Sequence, residues 1–158
     1  MGTNEFVLMA FAIIMVFVVK KLVAIYHSRK RLEGTITALN LRGRRTLLIL
    51  SVSLVVFGTV YAIRIRDVYS IVYIILGVCY VLISLDRLYI ADNGFCYDGK
   101  FIEFKNIKKW NPLGNKFFEV ISADSLKDVT LTIPMDKENA DKLSTIIKQK
   151  KNKSKAKK

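Results

Sequence analysis

The side chains that could catalyse a reaction or bind a metal are few and widely separated along the chain. There is one histidine, His27, and there are two cysteines, Cys79 and Cys96. A general base needs a positioned partner, and a zinc site needs several ligands brought together. Cys79 lies inside a long apolar run, away from the other two. Asp92 and Asp98 stand in Asp-Asn-Gly and Asp-Gly sequences, which are typical of turns. We therefore predict no catalytic residue, no metal site and no cofactor.

The strongest chemical signal is positive charge at the end of the chain and between two apolar runs. The formal net charge is +13, yet residues 86–147 carry 9 basic and 10 acidic side chains and are almost neutral. Basic segments next to a membrane are attracted to anionic lipid. The predicted lipid-surface residues are Lys148, Lys150, Lys151, Lys153, Lys155, Lys157, Lys158, Arg42, Arg44 and Arg45.

Other interpretations of these basic residues remain open. The lysine-rich end could simply keep the protein soluble. Nucleic-acid binding is disfavoured, because this segment has neither arginine nor the aromatic residues on which bases stack. Lys108, Lys109 and Trp110 form a second candidate interaction site, since tryptophan favours the headgroup region of membranes. A tryptophan buried in a core is the alternative for Trp110.

Two long apolar runs dominate the rest of the chain. Residues 46–63 and 68–85 are each 18 residues long and without charge, which is the length expected of a transmembrane helix. Only four residues, 64–67, separate them, so we predict a membrane hairpin. A third apolar segment, residues 6–26, would be about 31 Å long as a helix. A transmembrane domain is thus expected over residues 1–87, with a connector at 27–45.

The distribution of basic residues predicts the orientation of these spans. The connector carries six arginines and lysines, whereas the first five residues carry none. Positively charged loops favour the cytoplasm, so we expect a multi-pass protein of the cell membrane with its N-terminus outside and its C-terminus inside. Two free thiols would fit this reducing compartment. Small residues let helices pack closely in lipid, and Gly58, Ala62 and Gly77 are predicted at the helix seam.

The second half of the chain has the pattern of a small soluble α+β domain, predicted over residues 88–148. Short apolar runs at 88–91, 95–97, 100–104, 117–122 and 129–133 predict five antiparallel strands, with turns at Asn93-Gly94 and Asp98-Gly99. Residues 107–110 could extend the third strand, and 111–115 reads as a loop. An amphipathic helix should follow Asp136 and cap the sheet. We expect disorder over 149–158. Residues 34–41 of the connector could form a strand or a loop.

This arrangement resembles a family of small Gram-positive membrane proteins in which a few transmembrane helices precede a reduced pleckstrin-homology-like (bacterial PH) domain. The matching residues are Leu88-Tyr89-Ile90, Asn93-Gly94-Phe95, Asp98 to Ile102, Ile107, Trp110, Leu131 to Pro134, Ala140, Leu143 and Ile146. The resemblance implies a PH-like sheet closed by a helix, but no activity. A PH fold has seven strands where this pattern shows five, and the connector or a partner could supply the other two.

Together these patterns favour a non-enzymatic membrane protein that presents an interaction module at the inner face. The most specific version of this hypothesis is self-protection against a membrane-active peptide. An accessory or scaffold subunit of a larger membrane complex is equally compatible. A holin-like pore former would also have three spans and a basic tail, but a folded β domain is not expected of it. The expected partners are anionic lipids of the inner leaflet and a protein or a second copy of the chain.

Overall fold

The computed structural model describes residues 3–65, 69–123 and 128–155, which form two compact units. Helices α2 and α3 and most of α1 make up the first, here called the helical unit. Residues 25–43 and 87–158 make up the second, here called the module. The module therefore takes in the connector, which the sequence assigned to the transmembrane domain. Residues 66 and 67 of the predicted turn at 64–67, and residues 124–127, lie outside the described residues.

The helical unit contains three apolar helices near the positions predicted from the apolar runs. They are α1 (Thr3–Arg29), α2 (Arg44–Ile65) and α3 (Tyr69–Ser84). Within α1 and α2, the segments Met9–Arg29 and Arg44–Ile65 are long and apolar enough to cross a membrane. Helix α3 is also apolar, but its 16 residues give about 24 Å, less than the ~30 Å of a typical hydrocarbon core.

Small residues line the place where α2 and α3 pack together. A Cβ added to Gly58 would lie 3.1 Å from Ile74 Cγ1, and one added to Gly77 would lie 2.6 Å from Val55 Cγ2. Both glycines thus let the facing backbone approach closely. Ala62, one turn after Gly58, is half-buried. Helix α1 also contacts α3, because the rings of Phe11 and Tyr73 meet edge to face at 5.0 Å.

The module is an α+β structure, as its sequence pattern predicts, but its described residues form seven strands in two sheets. The first sheet has the order β1-β2-β3-β4 and the second the order β5-β6-β7, all antiparallel. The strands are β1 (Thr37–Leu39), β2 (Leu88–Ile90), β3 (Gly94–Tyr97), β4 (Lys100–Glu103), β5 (Ile107–Leu113), β6 (Phe117–Ala123) and β7 (Asp128–Pro134). The prediction of a single five-stranded sheet is therefore wrong.

The two additional strands come from segments without a clear local pattern. Strand β1 lies in the connector and pairs with β2, with Leu39 opposite Leu88. Strand β5 continues through Pro112 to Leu113, where a loop was expected. Proline has no N–H to give to a ladder and is tolerated on edge strands. Because β5 is an edge strand of its sheet, Pro112 costs no hydrogen bond to a second neighbour.

One hydrophobic core joins the two sheets and the last helix, α4 (Lys137–Lys155). Its members include Phe95, Phe118, Val120, Leu143 and Ile147, all buried. Helix α4 is longer than predicted, since residues 149–155 are helical; the expectation of disorder is wrong for these residues. Residues 156–158 lie outside the described part of the chain.

Candidate functional site

The basic residues singled out in the sequence do not form one patch in the module but occupy the two ends of α4. Arg42 Nη1 lies 3.3 Å from Asp136 Oδ1, just before the first turn of α4. Lys150 pairs with Asp92, and Lys151 contacts the start of β5, both near the last turns. About 20 Å separates these ends at the rise of an α-helix. The two basic groups therefore present two distinct surfaces.

Lys151 contacts a backbone carbonyl and an aromatic ring of the module. Its Nζ donates a hydrogen bond of 2.7 Å to the carbonyl oxygen of Ile107 and lies 5.2 Å from the ring centroid of Trp110. The indole Nε1 of Trp110 in turn donates to Ser144 Oγ at 3.2 Å. Ile107 begins an edge strand, so the lysine satisfies a carbonyl there. Trp110 therefore lies between β5 and α4, and its ring packs against the core.

This anchoring predicts that Lys151 stabilises the module more than its neighbour Lys148 does. Lys151→Met keeps the aliphatic stem but removes the charge and the bond to Ile107, which should cost about 1 kcal/mol of unfolding free energy. Lys148 is exposed, so Lys148→Met should change stability by less than ~0.5 kcal/mol. Denaturant unfolding followed by the emission of Trp110, the one tryptophan in the chain, measures both. Equal effects would contradict the anchoring role.

Other predicted candidates make local contacts or remain exposed. Lys108 Nζ pairs with Asp128 Oδ1 at 2.6 Å, and Lys109 is exposed. Arg44 Nη1 donates to the carbonyl oxygen of Ile83 at 2.8 Å, which satisfies a carbonyl near the end of α3. Arg45 is exposed. Lys153 and Lys155 lie in the last helical turn, whereas Lys157 and Lys158 are outside the described residues.

A clamp that the sequence did not reveal joins the β2–β3 turn to the segment after α1. Asn93 Nδ2 donates to the carbonyl oxygen of Arg31 at 2.7 Å, and Asn93 Oδ1 accepts from the Glu33 N–H at 3.1 Å. Asp92 Oδ2 accepts from the Thr35 N–H at 3.3 Å. Gly34 has a φ of +87°, and a Cβ there would collide with the Asp92 carboxylate. The sequence identifies the turn, but its partners lie about sixty positions away.

The last turn of α1 also packs inside the module. The guanidinium carbon of Arg29 lies 4.4 Å from the centroid of the Tyr89 ring. The Cys96 thiol is buried and donates to the carbonyl oxygen of Ser28 at 2.8 Å. Cys79 and Cys96 are both free thiols. The last residues of α1, from Ile25 to Arg29, thus belong to the module.

Within the described ranges, no group of three or more His, Cys, Asp and Glu side chains is placed to hold a metal ion. A shifted pKa is found on the surface of α4. There the hydrogen bond from Lys142, and then its charge, lower the pKa of the Glu138 carboxyl. This is an ordinary pair of side chains four residues apart on a helix, so it points to no chemistry.

Comparison with known proteins identifies part of the module. Residues 86–152 match the model of a family described as a domain of unknown function, DUF5673. The match begins after α3 and covers β2 to β7 and most of α4. It leaves out β1 and all three apolar helices. No curated protein and no solved structure matches the chain.

Proposed function

We propose that this is a non-enzymatic integral membrane protein in which three helices cross the membrane and hold a PH-like interaction module at its inner face. The observation that carries the proposal is the pairing of β1 with β2. These strands flank α2 and α3 in the sequence, so both ends of the helical pair must lie on one side of a membrane. The chain then crosses an even number of times between Leu39 and Leu88.

Because the number of crossings between Leu39 and Leu88 is even, we expect α3 to cross the membrane as well, although it is short. If α2 crosses once, α3 must return the chain to the side it left. A helix somewhat shorter than the hydrocarbon core is accommodated by local thinning of the bilayer at modest cost. The basic residues between α1 and α2 favour the cytoplasm for the module. Helix α1 would then place the N-terminus on the opposite side.

The strand count supports the PH-like assignment. Four strands followed by three, both sheets antiparallel, and then a closing helix give the seven strands of that fold. Strand β1 is contributed by the connector, one of the two sources considered for the missing strands. In this interpretation the helical hairpin is inserted between the first two strands of the module.

The folded module favours an interaction role over a holin-like one. A pore former with a bare basic tail has no need of a core that includes Phe95, Phe118 and Leu143, nor of a lysine fixed at Trp110. The partner classes that fit are a membrane-active peptide, as in self-protection, or another subunit of a membrane complex.

Cysteine accessibility in intact cells tests the proposal. In a Cys79→Ser, Cys96→Ser background, Ile36→Cys in the connector and Asn152→Cys in α4 should both resist a membrane-impermeant maleimide. Both should react after the cells are permeabilised, because both positions are exposed on the module. Arg66→Cys, between α2 and α3, is the control and should react in intact cells.

If only one of Ile36→Cys and Asn152→Cys reacted in intact cells, the two positions would lie on opposite sides of the membrane. The argument from an even number of crossings would then be wrong. Reaction of both in intact cells would place the module outside and overturn the inner-face assignment.

A further inference from the structure

The β5–β6 hairpin ends in an apolar row that the core does not use. Leu113 lies directly opposite Phe117, and Phe117 lies opposite Pro134. Because directly opposite residues in a sheet share a face, these three side chains form one row. Leu113 and Phe117 are each 46% exposed.

On β6 the exposure at the tip belongs to one face of the strand. Phe118, the next residue along β6, is fully buried in the core, as alternation in a strand requires. The turn between the strands consists of Gly114, Asn115 and Lys116, all exposed. Residues 113–117, here called the hairpin tip, therefore combine two large apolar side chains with one cation at the end of the hairpin.

The apolar row lies next to the backbone segment that leads into α2. The Arg42 N–H donates to the carbonyl oxygen of Pro134 at 3.1 Å, and Arg42 stands two residues before the start of α2. The row thus adjoins the backbone segment that leads directly into a helix of membrane-spanning length. The opposite end of α4, with Lys150 and Lys151, is anchored instead at Asp92 and Ile107.

We propose that the hairpin tip inserts into the headgroup and upper acyl region of the membrane in which the chain is anchored. This inference rests on the proposed function, because it requires the module to stand at a membrane face. Exposed Leu and Phe side chains next to a lysine suit this region, where apolar groups enter the acyl boundary and cations reach anionic headgroups. The tip would fix one face of the module toward lipid and leave the lysine-rich end of α4 available to another partner.

Tryptophan quenching by brominated lipid tests the insertion on the full chain. In a Trp110→Phe background, Phe117→Trp and, separately, Leu113→Trp carry one tryptophan at the tip. The proteins are reconstituted into vesicles of phosphatidylcholine and phosphatidylglycerol with bromines on the upper part of the acyl chain. We expect the emission of each tip tryptophan to fall about twofold or more, as for a side chain at the interface.

Two controls use the same vesicles. Thr145→Trp in the Trp110→Phe background places the probe on the exposed side of α4, and the unmodified chain reports on Trp110 between β5 and α4. Both should lose much less emission than the tip variants. Flotation of each vesicle preparation first establishes that the protein is in the bilayer, so a protein that does not float refutes the proposed function itself.

Protein that floats but shows no quenching at either tip position overturns the insertion. Quenching at Thr145→Trp equal to that at the tip overturns it too, because contact would then not be specific to the hairpin. A tip emission that shifts with the protein-to-lipid ratio, without quenching, would assign the row to contact with a second copy and would equally exclude insertion.

Discussion

Phe118→Ala should unfold the module at temperatures where the unmodified protein is folded. The ring of Phe118 is fully buried in the core shared by both sheets and α4. Truncating such a ring costs about 3–5 kcal/mol, through lost burial and the cavity left behind. Domains of this size are stabilised by only ~5–15 kcal/mol in total, so the loss is a large share of the stability.

Phe117→Ala is the matched control for this prediction. It makes the same chemical change one residue away, but on the exposed face of β6, and should cost less than about 1 kcal/mol. Denaturant unfolding of the full chain in detergent, followed by Trp110 emission, compares the two because that tryptophan lies in the module. If both variants lose the same stability, the assignment of the two faces of β6 is wrong.

Gly77→Leu should separate α2 from α3. A Cβ at this position would lie 2.6 Å from Val55 Cγ2 and 3.1 Å from the Val55 backbone nitrogen, so a leucine has no room beside the facing helix. Overpacking costs roughly 1–3 kcal/mol even where a side chain can shift, and the backbone of α2 cannot shift alone. We expect a lower melting temperature in detergent, measured by the reaction of Cys79 with a fluorogenic maleimide in a Cys96→Ser background.

The neighbouring Val78 provides the comparison for Gly77. It is 46% exposed on the same helix, so Val78→Leu adds volume at an exposed position and should leave the melting temperature almost unchanged. Equal melting of the two variants would mean that the glycine seam does not hold the hairpin together.

The sequence predicted the apolar helices well because their signal is local. A run of uncharged residues bounded by arginines marks the two ends of α2 within two residues of their observed positions. The turn at Asp98-Gly99 was also recognisable, and both residues adopt positive φ. At Asn93-Gly94 the glycine is instead the first residue of β3. For these elements the residues that determine the structure are neighbours in the chain.

The features that the sequence left open or missed depend on distant partners. Strand β1 has three residues, too few for a pattern, and becomes a strand only by pairing with β2. Pro112 suggests a loop unless the edge position of β5 is known. The last turns of α4 lack an apolar stripe, but Asp92, Ile107 and Trp110 hold the lysines there. The sequence therefore identified the basic residues, but not which of them lie together or what they contact.

The insertion of the helical pair between β1 and β2 has a consequence for biogenesis. Leu39 emerges from the ribosome 49 residues before Leu88, its partner in the sheet. If these helices cross the membrane as proposed, the first strand must wait, unpaired, while they are inserted. A nascent polypeptide whose helices stall outside the bilayer would keep an open sheet edge, which is a template for aggregation and a target for proteases. Completion of the soluble fold would thus act as a checkpoint on correct membrane integration.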